Sequence, residues 1–467
     1  MLLSLNRQWC KSDFDEYFPV NMSTQLFGTD GVRGTPGKAP LDARTLTRLG
    51  VAISRVYRST VGPVRVLIGR DTRESGEWIA GQLTLGIESE EGRVVNAGLL
   101  PTPAVAFLTR ASGFDAGIVV SASHNPFQDN GVKLFTGDGH KAGVDLEVRI
   151  TSLVNDNTWE APKTAVPSPE IVNFSESYAA HTSRLLDGVT VPADLRIAVD
   201  CANGAASLIA PELLRKLGLD PVVLHDQPNG RNINLRCGAT HPERLARVVV
   251  EQRCRLGAAY DGDGDRAIFI DHRGELIDGD AVLLIAARRL AAAGQLRRKA
   301  VVATVMSNLG LDQALSADGI KVHRCSVGDR VVWEEMKKRG IVLGGEQSGH
   351  TIFSDHLATG DGLATTLVIL RAVIETGLDL ADLAAELTPL PQVLVNVPVR
   401  HRTALAELPE VSSLIEKTKR DLAGEGRVLV RYSGTEPLLR IMIEGRDLNT
   451  IKRLAELIAE RVRTALQ

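Results

Sequence analysis

Three carboxylates separated by single glycines, Asp261-Gly262-Asp263-Gly264-Asp265, follow the strand-like run Leu256 to Tyr260. The glycines let a tight backbone aim alternate carboxylates at one point. Two carboxylates about 5 Å apart repel by roughly 3 kcal/mol at an effective dielectric near 20, so three pairs cost on the order of 10 kcal/mol. Convergence therefore calls for a cation. A few hard oxygen ligands suit one magnesium ion that keeps open positions for a phosphate oxygen. A calcium loop of the EF-hand kind is excluded, because its glycine and glutamate positions hold Arg266 and His272. The alternative is a solvated acidic turn with the carboxylates splayed outward.

A second loop, Ser121-Ala122-Ser123-His124-Asn125, closes the apolar run Ala116 to Val120 and leads through Pro126 to Asp129-Asn130-Gly131-Val132-Lys133. The β-branched run reads as a buried strand, and Asn125-Pro126 and Asn130-Gly131 are turn signals. Open α/β sheets bind ligands at such strand ends. Ser121 and Ser123 are both candidate nucleophiles. Neither sits in a Gly-x-Ser-x-Gly elbow, which disfavours acyl transfer. Phosphoryl transfer depends on positioning and charge neutralisation more than on a strong base, and a bound cation, Lys133 and His124 suit it. Alone, a Ser-His pair also reads as a turn cap.

Three further loops are polar and glycine-rich. Gly344-Gly345-Glu346-Gln347-Ser348-Gly349-His350 offers a carboxylate, an amide, a hydroxyl and an imidazole, a set able to bond vicinal sugar hydroxyls. Arg431-Tyr432-Ser433-Gly434-Thr435-Glu436-Pro437, with Arg440 beyond, reads as a phosphate cradle. Phe27-Gly28-Thr29-Asp30-Gly31-Val32-Arg33-Gly34 lets backbone approach a ligand beside Arg33. Each of these alone also fits an ordinary turn.

The elements that must carry the loops repeat one pattern. Val64 to Ile68, Leu195 to Val199 and Ala300 to Val305 are strand-like, and each is followed by a helix-like stretch: Trp78 to Gly86, Ala205 to Leu217, and Leu309 to Ala317. Strands alternating with helices imply mostly parallel, mixed sheets covered on both faces, so three similar α/β domains are expected. Thr158 to Glu170 and Thr388 to Gln392 are proline-rich linkers. Beyond the second, Val393 to Val399 alternates, Arg427 to Val430 is strand-like and Thr450 to Leu466 carries an apolar stripe. That segment reads as a small C-terminal α+β domain. The expected division is an N-terminal extension over 1–23, domains over 24–170, 171–277, 278–390 and 391–467, and a possible true start at Met22.

Bulk properties narrow the partners. A chain of 467 residues exceeds a single core. A formal net charge of -3 argues against a general electrostatic role on nucleic acid. The 5 cysteines are scattered with no Cys-x-x-Cys pair, which fits reduced cytoplasmic thiols. No run approaches the roughly 18 apolar residues of a membrane span.

Together and in this order, the five loops resemble the α-D-phosphohexomutase superfamily from about Leu26 to the C-terminus. Within it, the chain is most similar to the phosphoglucosamine mutase branch. The pointers are Gln347, Asn232-Ile233-Asn234, Cys237-Gly238-Ala239-Thr240-His241 and Ser326-Val327-Gly328-Asp329-Arg330. The resemblance implies four domains around a central cleft. It implies a phosphoserine at Ser123 and one magnesium ion held by Asp261, Asp263, Asp265 and the serine phosphate. Lys133, Arg33, His350 and His124 would handle protons and charge. Arg266, Glu346 and Ser348 would contact the sugar, and Arg431, Ser433, Gly434, Thr435 and Arg440 would grip the distal phosphate. The implied reaction interconverts glucosamine 6-phosphate and glucosamine 1-phosphate through a sugar 1,6-bisphosphate, which is both intermediate and activator, and feeds UDP-N-acetylglucosamine synthesis. The alternative is a phosphomannomutase/phosphoglucomutase. A phosphosugar is the expected partner, with no nucleic acid and no membrane, in a cytoplasmic monomer or homodimer.

Overall fold

The computed structural model describes residues 26–28, 30–58, 62–162, 169–422, 425–432 and 437–466. The extension over 1–23, Met22, and the loop residues Thr29, Ser433, Gly434 and Thr435 lie outside them.

Four sheets follow one another along the chain. The first contains β1 (Val32–Gly34), β2 (Arg65–Arg70), β3 (Arg93–Leu99), β4 (Ala116–Val120) and β5 (Asn130–Thr136), in the order β1-β5-β4-β2-β3. The second contains β6 (Ile197–Asp200), β7 (Val222–Leu224), β8 (Leu256–Tyr260), β9 (Ala267–Asp271) and β10 (Leu276–Ile277), in the order β10-β9-β8-β6-β7. The third contains β11 (Ala300–Thr304), β12 (Lys321–Cys325), β13 (Leu343–Gly345) and β14 (Thr351–Phe353), in the order β12-β11-β13-β14. The fourth is antiparallel, β15 (Gln392–Pro398), β16 (Gly426–Tyr432) and β17 (Leu438–Gly445), with β17 central.

The first three sheets share one topology. A parallel trio (β3-β2-β4, β7-β6-β8, β12-β11-β13) is extended by an antiparallel strand, β5, β9 or β14. The strands β4, β8 and β11 are apolar and wholly buried, as strands covered on both faces must be, whereas the outer strands β3, β7 and β12 are partly exposed. This repetition decides where the chemistry sits. The loops bearing Ser123, Asp261 to Arg266, and Glu346 to His350 occupy the same place in each repeat, between the outer parallel strand and its antiparallel neighbour. Three equivalent strand ends thereby aim three different polar loops at one region.

The second and third repeats are locked together there. Arg266 and His350 form a backbone bridge, and Ala267 N–H donates to the Gly349 carbonyl at 3.1 Å. One continuous apolar core joins the first, second and third repeats, including Val105, Leu195, Phe269 and Leu367. The helix Gly362–Thr376 supplies Leu363 and Leu367, and Tyr178 Oη donates to Asp361 Oδ1 at its N-cap at 2.9 Å.

One element departs from expectation. The stretch Ala205 to Leu217 is a 3-10 turn over Ala205–Ser207 followed by a helix over Ile209–Lys216. Pro211 lacks an N–H and is tolerated only in a first turn. The α-helix therefore begins just before it.

Candidate functional site

Ser123 is 1% exposed and holds a positive φ of 51°, a conformation non-glycine residues rarely adopt. Something must hold it there. Ser121 Oγ accepts from Ser123 N–H at 2.9 Å and donates to Asp71 Oδ2 at 2.6 Å. Of the two serines, Ser121 is thus bound into the scaffold. The fully buried Arg73 donates from Nε to Asp71 Oδ2 at 2.8 Å, and its two terminal nitrogens reach the carbonyls of Ser123, Asn125, Pro126 and Asp129. From the second repeat, Asn234 Nδ2 donates to the Ser123 and Asn125 carbonyls at 2.8 and 3.1 Å. The serine loop is clamped from two sides by backbone contacts.

Its hydroxyl faces the acidic loop. Ser123 Oγ lies 2.6 Å from Asp261 Oδ2 and 3.4 Å from His124 Nδ1. Asp261, Asp263 and Asp265 are all buried, and one oxygen from each falls within 4.8 Å of the others. Lys133 Nζ, 2% exposed, reaches Asp263 Oδ2 at 2.7 Å, Asp265 Oδ2 at 3.1 Å and Asp30 Oδ2 at 3.3 Å. Burial opposes its charge, but these carboxylates hold its ammonium well above the ordinary lysine value. Burial, followed by Asp265 and Asp263, pushes the Asp261 carboxyl well above the usual carboxylate range.

The acidic loop fits a magnesium ion on its own geometry. Of the three carboxylates Lys133 meets Asp263 and Asp265, Arg266 Nε lies 3.8 Å from Asp265 Oδ1, and Asp263 Oδ1 and Asp265 Oδ1 are buried without a hydrogen-bond partner. Orphaned buried carboxylate oxygens cost several kcal/mol unless a cation meets them. The donor set is all oxygen, as a hard divalent ion requires.

Around this cluster stand the remaining candidates. Arg33 donates to the Ala122 carbonyl at 2.9 Å and pairs with Asp30. His350 is 1% exposed, with Nε2 3.4 Å from Asp329 Oδ2. His124, Asp261, Arg266, Glu346 and Ser348 line a cavity of about 440 Å³. Arg266 is held in its charged form against the cost of burial by Asp265, Asp261 and Glu346. Glu346 Oε1 accepts from Gly328 N–H at 3.1 Å.

Arg431 and Arg440 lie on the fourth sheet as directly opposed partners of β16 and β17. Like charges placed opposite one another are destabilising, and burial together with Arg440 pushes the Arg431 guanidinium pKa down. An anion relieves that repulsion.

Several residues of the site had no role assigned from the sequence. Arg73, Asp71 and Asn234 act on backbone carbonyls or on the serine loop. Thr102 Oγ1 donates to Asp263 Oδ2 at 2.5 Å. Lys141 pairs with Asp30 of the first repeat and Asp329 of the third, and Arg330 with Glu147, tying the first and third repeats across the site. The signals available were the run Gly69-Arg70-Asp71-Thr72-Arg73 after a strand and the presence of Asn234 and Arg330 in the stretches shared with the family.

Comparison with known proteins adds the following. Four models of the phosphoglucomutase/phosphomannomutase family match in order: alpha/beta/alpha domain I over residues 24–161, domain II over 176–274, domain III over 278–390 and the C-terminal domain over 394–461. A phosphoglucosamine mutase of Solibacter usitatus is 46% identical, aligned over 95% of this chain and 99% of its own length. That of Koribacter versatilis is 46% identical over 95% and 97%. A solved phosphoglucomutase/phosphomannomutase family protein from Burkholderia thailandensis superposes with a TM-score of 0.77 at 25% identity, covering 95% of this chain and 98% of that one.

Proposed function

The chain belongs to the phosphoglucomutase/phosphomannomutase family, and we propose that it interconverts glucosamine 6-phosphate and glucosamine 1-phosphate through a phosphorylated Ser123. The observation that carries this reading is Ser123 Oγ, buried and 2.6 Å from Asp261, in the same cluster as Lys133. The substrate follows the phosphoglucosamine mutases to which the chain is similar over nearly its whole length.

In this reading Ser123 carries the phosphoryl group at rest. The Ser123 O–P bond breaks as a bond from phosphorus to the sugar O1 forms, giving a 1,6-bisphosphate. The O1 proton passes to an imidazole at the site, His124 or His350, while Lys133 and Arg33, both cations, supply positive charge. The bisphosphate turns over in the cleft and returns its 6-phosphoryl group to Ser123. Asp261, Asp263 and Asp265 would hold a magnesium ion, which would supply charge to neutralise the transferring phosphoryl group. Lys133 orders Asp263 and Asp265, Arg266 lines the cavity, and Glu346 and Ser348 bond sugar hydroxyls. Arg431 and Arg440, with Ser433, Gly434 and Thr435, take the phosphate that is not reacting. The place of Arg431 and Arg440 on a separate sheet suits a group that must grip either phosphate and release it between half-reactions.

We place the enzyme in the cytoplasm. The described cysteines Cys201, Cys237, Cys254 and Cys325 are free and buried, and among the described residues no helix is long and apolar enough to cross a membrane. The proposed state is a monomer or a homodimer.

The deciding experiment compares kcat/KM for the 6-phosphates of glucosamine, glucose and mannose, with magnesium and trace sugar 1,6-bisphosphate present. Preference for glucosamine supports the proposal. Equal or better turnover of glucose or mannose phosphate replaces it with a phosphomannomutase/phosphoglucomutase.

A further inference from the structure

The amino group of glucosamine phosphate is a cation at neutral pH, while the hydroxyl that replaces it in glucose phosphate is neutral. Discrimination between them needs a negative group that faces the sugar and is not committed to the metal. Three carboxylates line the described cavity: Asp261, Asp278 and Glu346. Asp261 meets Ser123 and belongs to the metal set. Glu346 is mostly buried and bonded to Gly328. Asp278 belongs to none of the motif loops and is only half-buried.

The fold fixes Asp278 firmly. It is the N-cap of the helix Gly279–Ala292, and its Oδ1 accepts from Asp280 and Ala281 N–H at 3.1 and 3.2 Å. Its Oδ2 accepts from Gln347 Nε2 at 3.2 Å, and Gly279 N–H donates to the Gln347 carbonyl at 3.0 Å. The loop bearing Glu346 and Ser348 is thereby seated on the helix start. Among the described residues the second oxygen of Asp278 has one hydrogen-bond partner, the neutral amide of Gln347, and Asp278 lines the cavity where a sugar is to lie.

We infer that Asp278, with Gln347 held against it, is the counter-ion that reads the ammonium of an amino sugar phosphate. This rests on the proposed substrate and adds the residue that selects it. A glucose phosphate has no charge to offer Asp278, and an N-acetylated sugar has lost its charge to the amide.

The test uses the full chain with Asp278→Asn. Asparagine caps a helix as well as aspartate does, so the substitution removes the charge and keeps the helix start. Turnover is compared on glucosamine, glucose and N-acetylglucosamine 6-phosphates. The glucosamine-to-glucose ratio of kcat/KM is expected to fall at least about tenfold, the value of one hydrogen bond to a charged group, and to fall through KM for glucosamine phosphate. A smaller fall overturns the inference. Should the variant lose turnover on both sugars, the same ratio is read from equilibrium binding in a Ser123→Ala background, with the same threshold. Wild-type protein without preference for the amino sugar removes the proposed substrate. Wild-type preference that survives Asp278→Asn removes this inference alone.

Discussion

Arg73 offers the sharpest separation of stability from catalysis. It is fully buried, pairs with the equally buried Asp71, and donates to the carbonyls of Ser123, Asn125, Pro126 and Asp129. Arg73→Met keeps most of the volume and removes the charge and all five donated bonds. Asp71 then keeps only Ser121 Oγ and the backbone N–H of residue 73, so a buried charge stands without a counter-ion, at a cost of about 3–5 kcal/mol. Adding Asp71→Asn removes that charge and is expected to restore part of the stability in urea unfolding. It cannot restore the clamp. Asn234 still covers the Ser123 and Asn125 carbonyls, but the Asp129 carbonyl has lost its side-chain donor and the Pro126 carbonyl keeps only the Asp129 N–H. Ser123, at its strained φ, is then free to drift from Asp261, and a misplacement of about 1 Å costs on the order of a hundredfold in rate. The double variant is therefore expected to be the more stable of the two and still about a hundredfold slow in kcat. A double variant within about threefold of wild-type kcat would refute the claim that Arg73 positions the nucleophile.

Asp263→Asn is expected to weaken the magnesium dependence of turnover and lower activity, because it removes one of three buried carboxylates; an unchanged magnesium titration speaks against the metal set. Arg431→Ala should raise KM by at least about tenfold while the fold survives, since one charged contact to phosphate is worth about 1.5–3 kcal/mol; an unaltered KM discredits the phosphate role. Asp280 gives a pH test away from the metal. Burial, followed by the Asp278 carboxylate, pushes its carboxyl up to about 7. The folded state thus holds this proton more tightly than the unfolded chain, and its stabilisation is complete below about pH 4 and lost as pH rises through about 7. Asp280→Asn should therefore gain stability relative to wild type between about pH 5 and 8, by at most about 4 kcal/mol; a difference independent of pH contradicts this.

The parts of the site legible in the sequence are those whose function demands a particular side chain at short spacing. Asp261, Asp263 and Asp265 announce themselves because single glycines place them together whatever the rest of the chain does. Ser123 and Lys133 flank one turn between two adjacent strands, so their sequence distance is small. The repeated strand and helix pattern likewise comes from local periodicity. What was not legible acts at long range or on backbone. Arg73 works on carbonyls, which every residue has, across 50 or more positions. Asn234 reaches Ser123 across 111 and Lys141 reaches Asp329 across 188. Nothing local marks such pairs, because only the stacking of the three repeats brings them together. Between the two candidate serines the loop residues alone held no preference and the family resemblance pointed to Ser123; hydrogen bonding now separates them. Ser121 is tied to Asp71, and Ser123 faces the acidic loop.

The most direct measurement is the phosphate itself. Protein incubated with glucose 1,6-bisphosphate and magnesium, digested and read by mass spectrometry, should carry one phosphoryl group on Ser123, and Ser123→Ala should lose that group together with at least about a thousandfold in rate, equivalent to about 4 kcal/mol. Phosphate on Ser121 instead, or full turnover without Ser123, would contradict the account.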